Sequence, residues 1–98
     1  MANQVVNYDG SITAAPNQLV FAESAAEIQS VLRDAQRYPG PVRAVGSYHS
    51  LTPCASSEGT MINMSRMNRV LSIDAAAGTI TAEAGIQFIE ASKALREH

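Results

Sequence analysis

The residues best placed to do chemistry form one short run, Gly46-Ser47-Tyr48-His49-Ser50, directly behind the apolar segment that ends at Val45. A glycine that opens a loop at the carboxyl end of a strand lets several main-chain N–H groups face a common centre. Such a nest suits the oxygens of a phosphate or pyrophosphate. Gly46, Ser47, Tyr48 and Ser50 would supply these contacts chiefly through the main chain, and the Ser47 and Ser50 hydroxyls add donors at short range. The His49 imidazole would stand beside whatever carries the phosphate. The alternative for the same residues is an ordinary strand-to-loop turn whose histidine only hydrogen-bonds to its neighbours. Cys54 follows in the same loop and reads as a small loop cysteine. His49, Cys54 and His98 lack the ligand spacing of zinc sites, so no metal is expected.

The elements that must position this loop are legible in outline. Leu19-Val20-Phe21 is a short apolar run suited to a buried strand. Ser24 precedes Glu27 at capping-box spacing, which predicts a helix start. Ile28, Val31, Leu32 and Ala35 then recur at helical spacing, so one apolar stripe should face a sheet. Pro39-Gly40-Pro41 ends the helix, and Val42 to Val45 reads as the next strand. Residues 19–45 thus form a strand–helix–strand unit, expected as a parallel pair with a right-handed crossover. The loop from Gly46 to Gly59 is long and rich in small residues, the mark of a functional or mobile segment. Thr60 to Met64 resumes strand character, with Ile62 and Met64 on one face. Residues 70–74 and 79–84 read as a hairpin through Ala75-Ala76-Ala77-Gly78. Gly85 turns into a last helix over 86–97, on which Phe88, Ala91 and Leu95 share a face. Residues 1–17 read as an N-terminal arm or edge strand and 18–98 as one α+β unit of order β-α-β-β-β-β-α. Arg43, Arg66 and Arg69 read as solvated or capping groups rather than phosphate partners, and Met61, Met64 and Met67 as core and turn filling.

Composition bounds the partners. Ninety-eight residues suffice for one small core, and an apolar content of 46% with mixed charges describes a soluble globular chain. A net charge of −2 and a pI near 5.5 leave no basic stripe for a nucleic acid. No apolar run is long enough to span a bilayer, and the first ten residues lack a signal-peptide core, so no membrane association is expected. The single cysteine excludes an internal disulfide framework and suits a reducing compartment, so the expected location is cytoplasmic. The last predicted helix runs to the end of the given sequence without a capping glycine, an unusual place for a natural chain to stop.

Four segments in order carry a resemblance. They are Leu-Val-Phe-Ala-Glu-Ser at 19–24, Val-Arg-Ala-Val-Gly-Ser-Tyr-His-Ser at 42–50, Met-Asn-Arg-Val-Leu-Ser-Ile-Asp at 67–74 and Thr-Ile-Thr-Ala-Glu-Ala-Gly at 79–85. From Gln18 to His98 the chain resembles the N-terminal part of the FAD-binding (PCMH-type) domain of the vanillyl-alcohol-oxidase-type flavoproteins, nearest their sugar-lactone and alditol oxidase branch. The resemblance implies a cofactor, FAD, held at Val45, Gly46, Ser47, Tyr48, His49, Ser50 and, secondarily, Gly85. It further implies that His49 is joined through an imidazole nitrogen to the 8α-methyl of the flavin. That methyl is electrophilic, and a neutral imidazole is a competent nucleophile near pH 7. The family often has glycine where this chain has Tyr48, a change that narrows the backbone's options. The implied activity is oxidation of a CH–OH group of a sugar lactone, polyol or similar alcohol, with dioxygen as acceptor. The resemblance also implies that the FAD domain continues beyond the last helix. The chain is therefore expected to be the N-terminal portion of a larger enzyme, or one piece of a cleaved one, with the groups that activate the substrate in a separate domain. A flavin-dependent dehydrogenase with another acceptor and a non-catalytic anion-binding module are the alternatives.

Overall fold

The computed structural model describes residues 4–47 and 53–96. In chain order the elements are β1 (Val5–Val6), β2 (Thr13–Ala14), β3 (Gln18–Phe21), α1 (Ala25–Arg33), β4 (Val42–Val45), a 3-10 turn (Pro53–Ala55), β5 (Thr60–Asn63), β6 (Val70–Asp74), β7 (Thr79–Ala82) and α2 (Phe88–Leu95). From β3 onward this is the expected α+β order.

The centre is a three-stranded parallel sheet of order β3-β5-β4. Leu19 lies opposite Met61 on one side of β5, and Arg43 lies opposite Met61 on the other. The strand–helix–strand unit therefore differs from its sequence reading: β3 and β4 run parallel but do not pair, because β5 is inserted between them. All four residues of β5 are buried. A strand covered on both faces and paired on both edges has no solvent side, so its pattern is continuous rather than alternating.

Alternation along these strands sorts the core into two clusters on opposite faces of the sheet. One joins Val5, Val45 and Met61, with Ala14, Leu19 and Ala55 against them. It seats the β1–β2 hairpin on that face, which gives the N-terminal arm a defined place. The other joins Ala22, Val31 and Ile62, with Val20, Ile28, Tyr38, Val42, Met64 and Met67 around them. It seats α1 on the opposite face. Met61 thus belongs to one core, and Met64 and Met67 to the other.

Helix α1 starts where the capping signature places it. The Ser24 hydroxyl accepts from the Glu27 N–H at 3.2 Å, and the Glu27 carboxylate accepts from the Glu23 N–H at 3.1 Å. The helix ends at Arg33, so Ala35 lies beyond it, and Leu32 is 58% exposed. The helix's contribution to the core is carried by Ile28 and Val31. On α2 the side chain of Phe88 is 93% exposed and that of Leu95 is also exposed, so the apolar residues of the last helix do not share a buried face among the described residues.

The β6–β7 hairpin is antiparallel, with an irregularity between Val70 and Ser72, and turns through Gly78 at φ +70. The Glu83 N–H continues the pairing by donating to the Arg69 carbonyl at 2.9 Å. That bond carries the chain from the hairpin back toward the carboxyl ends of the parallel strands, where the candidate site lies.

Candidate functional site

Val45 ends β4 with its side chain in the core and its carbonyl accepting from the Met64 N–H at 3.0 Å. The next two residues, Gly46 and Ser47, are exposed and leave the sheet at its carboxyl edge. Tyr48, His49 and Ser50 lie outside the described residues. Across from this exit, the chain leaving β5 makes a tight turn. The Asn63 side-chain carbonyl accepts from the Ser65 N–H, and the Met67 N–H donates to the Met64 carbonyl, at 2.9 and 3.0 Å.

Gly85 closes on that turn. Its N–H donates to the Met67 carbonyl at 2.9 Å. A Cβ built on Gly85 would lie 1.6 Å from the Met64 carbonyl oxygen and 2.8 Å from that of Met67. No side chain fits there, so a glycine is required by backbone approach alone, whatever the site binds.

These three segments and the start of α2 enclose a cleft of about 270 Å³ lined by Gly46, Ser47, Ser65, Asn68, Gly85, Gln87 and Glu90. The structure therefore gathers Gly46, Ser47 and Gly85, far apart in sequence, at one place. Ser65, Asn68, Gln87 and Glu90 are lining residues that sequence reading did not single out. The hints were the placement of Ser65 and Asn68 within the turn that precedes the hairpin, and of Gln87 at the start of a helix whose N-terminal N–H groups favour negative charge. An adjoining open surface is lined by Ser47, Ile86, Gln87 and Phe88.

The far wall is held by an ion pair. Arg69 donates to the Glu83 carboxylate from its Nε at 2.8 Å, its Nη2 at 3.2 Å and its main-chain N–H at 2.9 Å. The Glu83 side chain is nearly covered, while that of Arg69 is open to solvent. The Arg69 side-chain bonds first, and its main-chain N–H next, hold the Glu83 carboxyl below its ordinary range. A depressed folded-state pKa favours folding above the unfolded value, and that contribution is lost as pH falls through the folded one. The thermal midpoint of a Glu83→Gln protein should therefore lie below that of the parent at neutral pH. The gap should narrow as pH drops below roughly 4. Midpoints recorded from pH 7 to 3 check this, and a gap that stays constant would remove the pair from the account.

The other arginines have local roles. Arg43 donates from Nη1 to the Cys54 carbonyl at 2.5 Å. Arg66 pairs with Glu23 at 3.6 Å and stacks over the Phe21 ring. Neither is among the residues that line the cleft.

A family model described as the FAD binding domain matches residues 16–98. The chain belongs to this family. It is similar to the L-gulono-1,4-lactone dehydrogenase of Mycobacterium tuberculosis, 40% identical over 84% of this chain and 19% of that protein. It is 33% identical to the L-gulonolactone oxidase of Mus musculus, over 97% of this chain and 22% of the relative. To the L-galactono-1,4-lactone dehydrogenase 1, mitochondrial, of Oryza sativa subsp. japonica it is 32% identical, over 96% of this chain and 16% of the relative. The chain thus spans about a fifth of the length of these curated relatives.

The cleft fits part of an FAD. Gly46 bares the main chain, and the Ser47, Ser65, Asn68 and Gln87 side chains supply neutral donors suited to phosphate oxygens and hydroxyls. Its lining is polar and holds no aromatic side chain among the described residues, which suits the polar middle of a flavin dinucleotide.

Proposed function

We propose that this chain is the N-terminal part of the FAD-binding domain of an oxidoreductase that oxidises a CH–OH group of a sugar lactone, a polyol or a similar alcohol. The observation that carries the reading is the convergence of Gly46, Ser47 and Gly85 on one polar cleft at the carboxyl edge of the parallel sheet. It stands in a chain matched to the FAD binding domain from residue 16 to 98. The family match favours this reading over a bare anion-binding module.

When bound, the flavin supplies a two-electron acceptor for the alcohol carbon. The chain's own residues act before that step. The Gly46 and Ser47 main chain, continued by Tyr48 and Ser50, holds the pyrophosphate, and Val45 anchors that exit in the core. The Gly85 junction braces the opposite wall through Met64 and Met67. His49 is the proposed tether: an imidazole nitrogen would replace one hydrogen of the flavin's 8α-methyl, the two hydrogen equivalents released passing to dioxygen. The link would keep the cofactor from leaving. Substrate activation belongs to the remainder of the enzyme, and a cytoplasmic location accompanies the reading.

Dioxygen is the proposed acceptor. The similarity to a protein named a dehydrogenase favours a second reading in which electrons pass to another carrier. Peroxide release during aerobic turnover, against reduction of a dye without oxygen, separates the two.

Acid precipitation of the full-length protein tests the tether. A yellow, fluorescent pellet from the parent and a colourless one from His49→Ala is the expected result. Flavin in the supernatant from both would reduce His49 to a loop residue with a non-covalent cofactor. No flavin in either fraction would overturn the proposed function.

A further inference from the structure

The cleft holds no lysine or arginine among its described lining residues, yet it holds one carboxylate, that of Glu90 on the first turn of α2. A site for a doubly charged pyrophosphate alone would not place a carboxylate on its wall, where like charges repel. An ionised carboxylate accepts hydrogen bonds and donates none, so its natural partner is a hydroxyl. Gln87, one turn earlier, and Asn68, across the cleft, offer amides that serve as donor or acceptor to neighbouring hydroxyls. The Lys93 ammonium lies 3.6 Å from the Glu90 carboxylate, and both side chains remain more than half exposed. Glu90 is therefore only loosely engaged within its own helix and keeps acceptor capacity for a ligand.

Resting on the proposed cofactor reading, we propose that the Glu90 side of the cleft takes a hydroxyl-bearing portion of the flavin dinucleotide, with the Glu90 carboxylate as hydroxyl acceptor. The pyrophosphate is confined to the Gly46–Ser47 side. Two portions carry such hydroxyls, the ribityl chain of the flavin and the ribose of the adenosine. Glu90 is a positioning residue here and sets how the dinucleotide is threaded along the cleft.

The sign of one substitution decides the matter. In full-length protein carrying His49→Ala, so that flavin exchanges freely, FAD affinity is read by quenching of flavin fluorescence. Glu90→Ala should weaken FAD binding about tenfold, and Glu90→Gln, which keeps a weaker acceptor, by less. Lys93→Ala breaks the same ion pair without touching the acceptor and should leave affinity unchanged. Displacement of FAD by FMN and by ADP locates the hydroxyls. A Glu90 effect shared with FMN assigns the ribityl chain, and one shared with ADP assigns the ribose. Tighter FAD binding by Glu90→Gln would mean that phosphate lies against the carboxylate, and would overturn the inference. Equal affinity in all variants, or an equal loss in Lys93→Ala, would overturn it too. Failure of the His49→Ala parent to bind FAD at all would instead remove the cofactor reading on which it rests.

Discussion

Replacing Gly85 with alanine is expected to destabilise the full-length protein by about 3 kcal/mol or more and to abolish flavin retention. The atoms that the new Cβ meets are main chain: the Met64 carbonyl oxygen at 1.6 Å, the Met64 carbonyl carbon at 2.5 Å and the Met67 carbonyl oxygen at 2.8 Å. No rotamer change relieves such contacts, so the 64–67 turn and the junction ahead of α2 must separate. Separation also breaks the 2.9 Å bond from the Gly85 N–H to the Met67 carbonyl. One wall of the cleft is lost with it. Gly59 is the comparison. Its Cβ would meet the Pro39 and Gly40 carbonyl oxygens at 2.4 and 2.5 Å. Gly59→Ala should thus lower stability through the connection ahead of β4, on which the cleft does not border. Gly46 is the opposite case, since no described atom lies within 4 Å of a Cβ there. Gly46→Ala should leave the stability of the flavin-free protein nearly unchanged, within about 0.5 kcal/mol. Any loss of flavin in that variant then reports on the ligand alone. Thermal midpoints and flavin-to-protein ratios for the three variants check this. A Gly85→Ala protein that keeps both parent values would refute the close approach.

What could be read from the sequence depended on how local its cause is. The start of α1 is set by Ser24 and Glu27 within one turn, and that start was legible. The hairpin of β6 and β7 is set by its own turn at Gly78 and was also legible. The place of β5 between β3 and β4 was not, because strand order follows from burying Met61 and Ile62 on opposite faces at once. The uncharged run Thr60-Met61-Ile62-Asn63, buried throughout, was the available signal. The β1–β2 hairpin lies in the segment read as an N-terminal arm or edge strand, where its pairing was not legible. Asp9-Gly10 marks its turn, with Gly10 at φ +78 and the Asp9 carboxylate accepting from the Ser11 N–H and hydroxyl. The site shows the same division. Gly46 and Ser47 announce themselves by following a strand, whereas Ser65, Asn68, Gln87 and Glu90 reach the cleft only through the Gly85–Met64 approach. Tyr48, His49 and Ser50 lie outside the described residues and rest on the family resemblance.

Met61→Ala should cost about 2–5 kcal/mol, the range for emptying a well-packed core position. Met61 is 1% exposed at the centre of the parallel sheet and carries the contacts that seat the β1–β2 hairpin through Val5. The small residues at its rim, Ala14 and Ala55, have no length to give, so filling the space requires Leu19 or the hairpin to move. Val45 packs in the same cluster and ends the strand that delivers Gly46, so the loss reaches the cleft through the strand terminus. Met61→Leu, which nearly conserves volume, should cost less than about 1.5 kcal/mol. Leu32→Ala is the control drawn from the same apolar pattern. Its side chain is 58% exposed, so truncation should change stability by no more than about 0.5 kcal/mol. Urea unfolding of the flavin-free full-length protein, with proteolysis to report release of the hairpin, measures all three. A Met61→Ala protein as stable as Leu32→Ala would mean that the hairpin is not held by this core. The position of Gly46 would then need a different support.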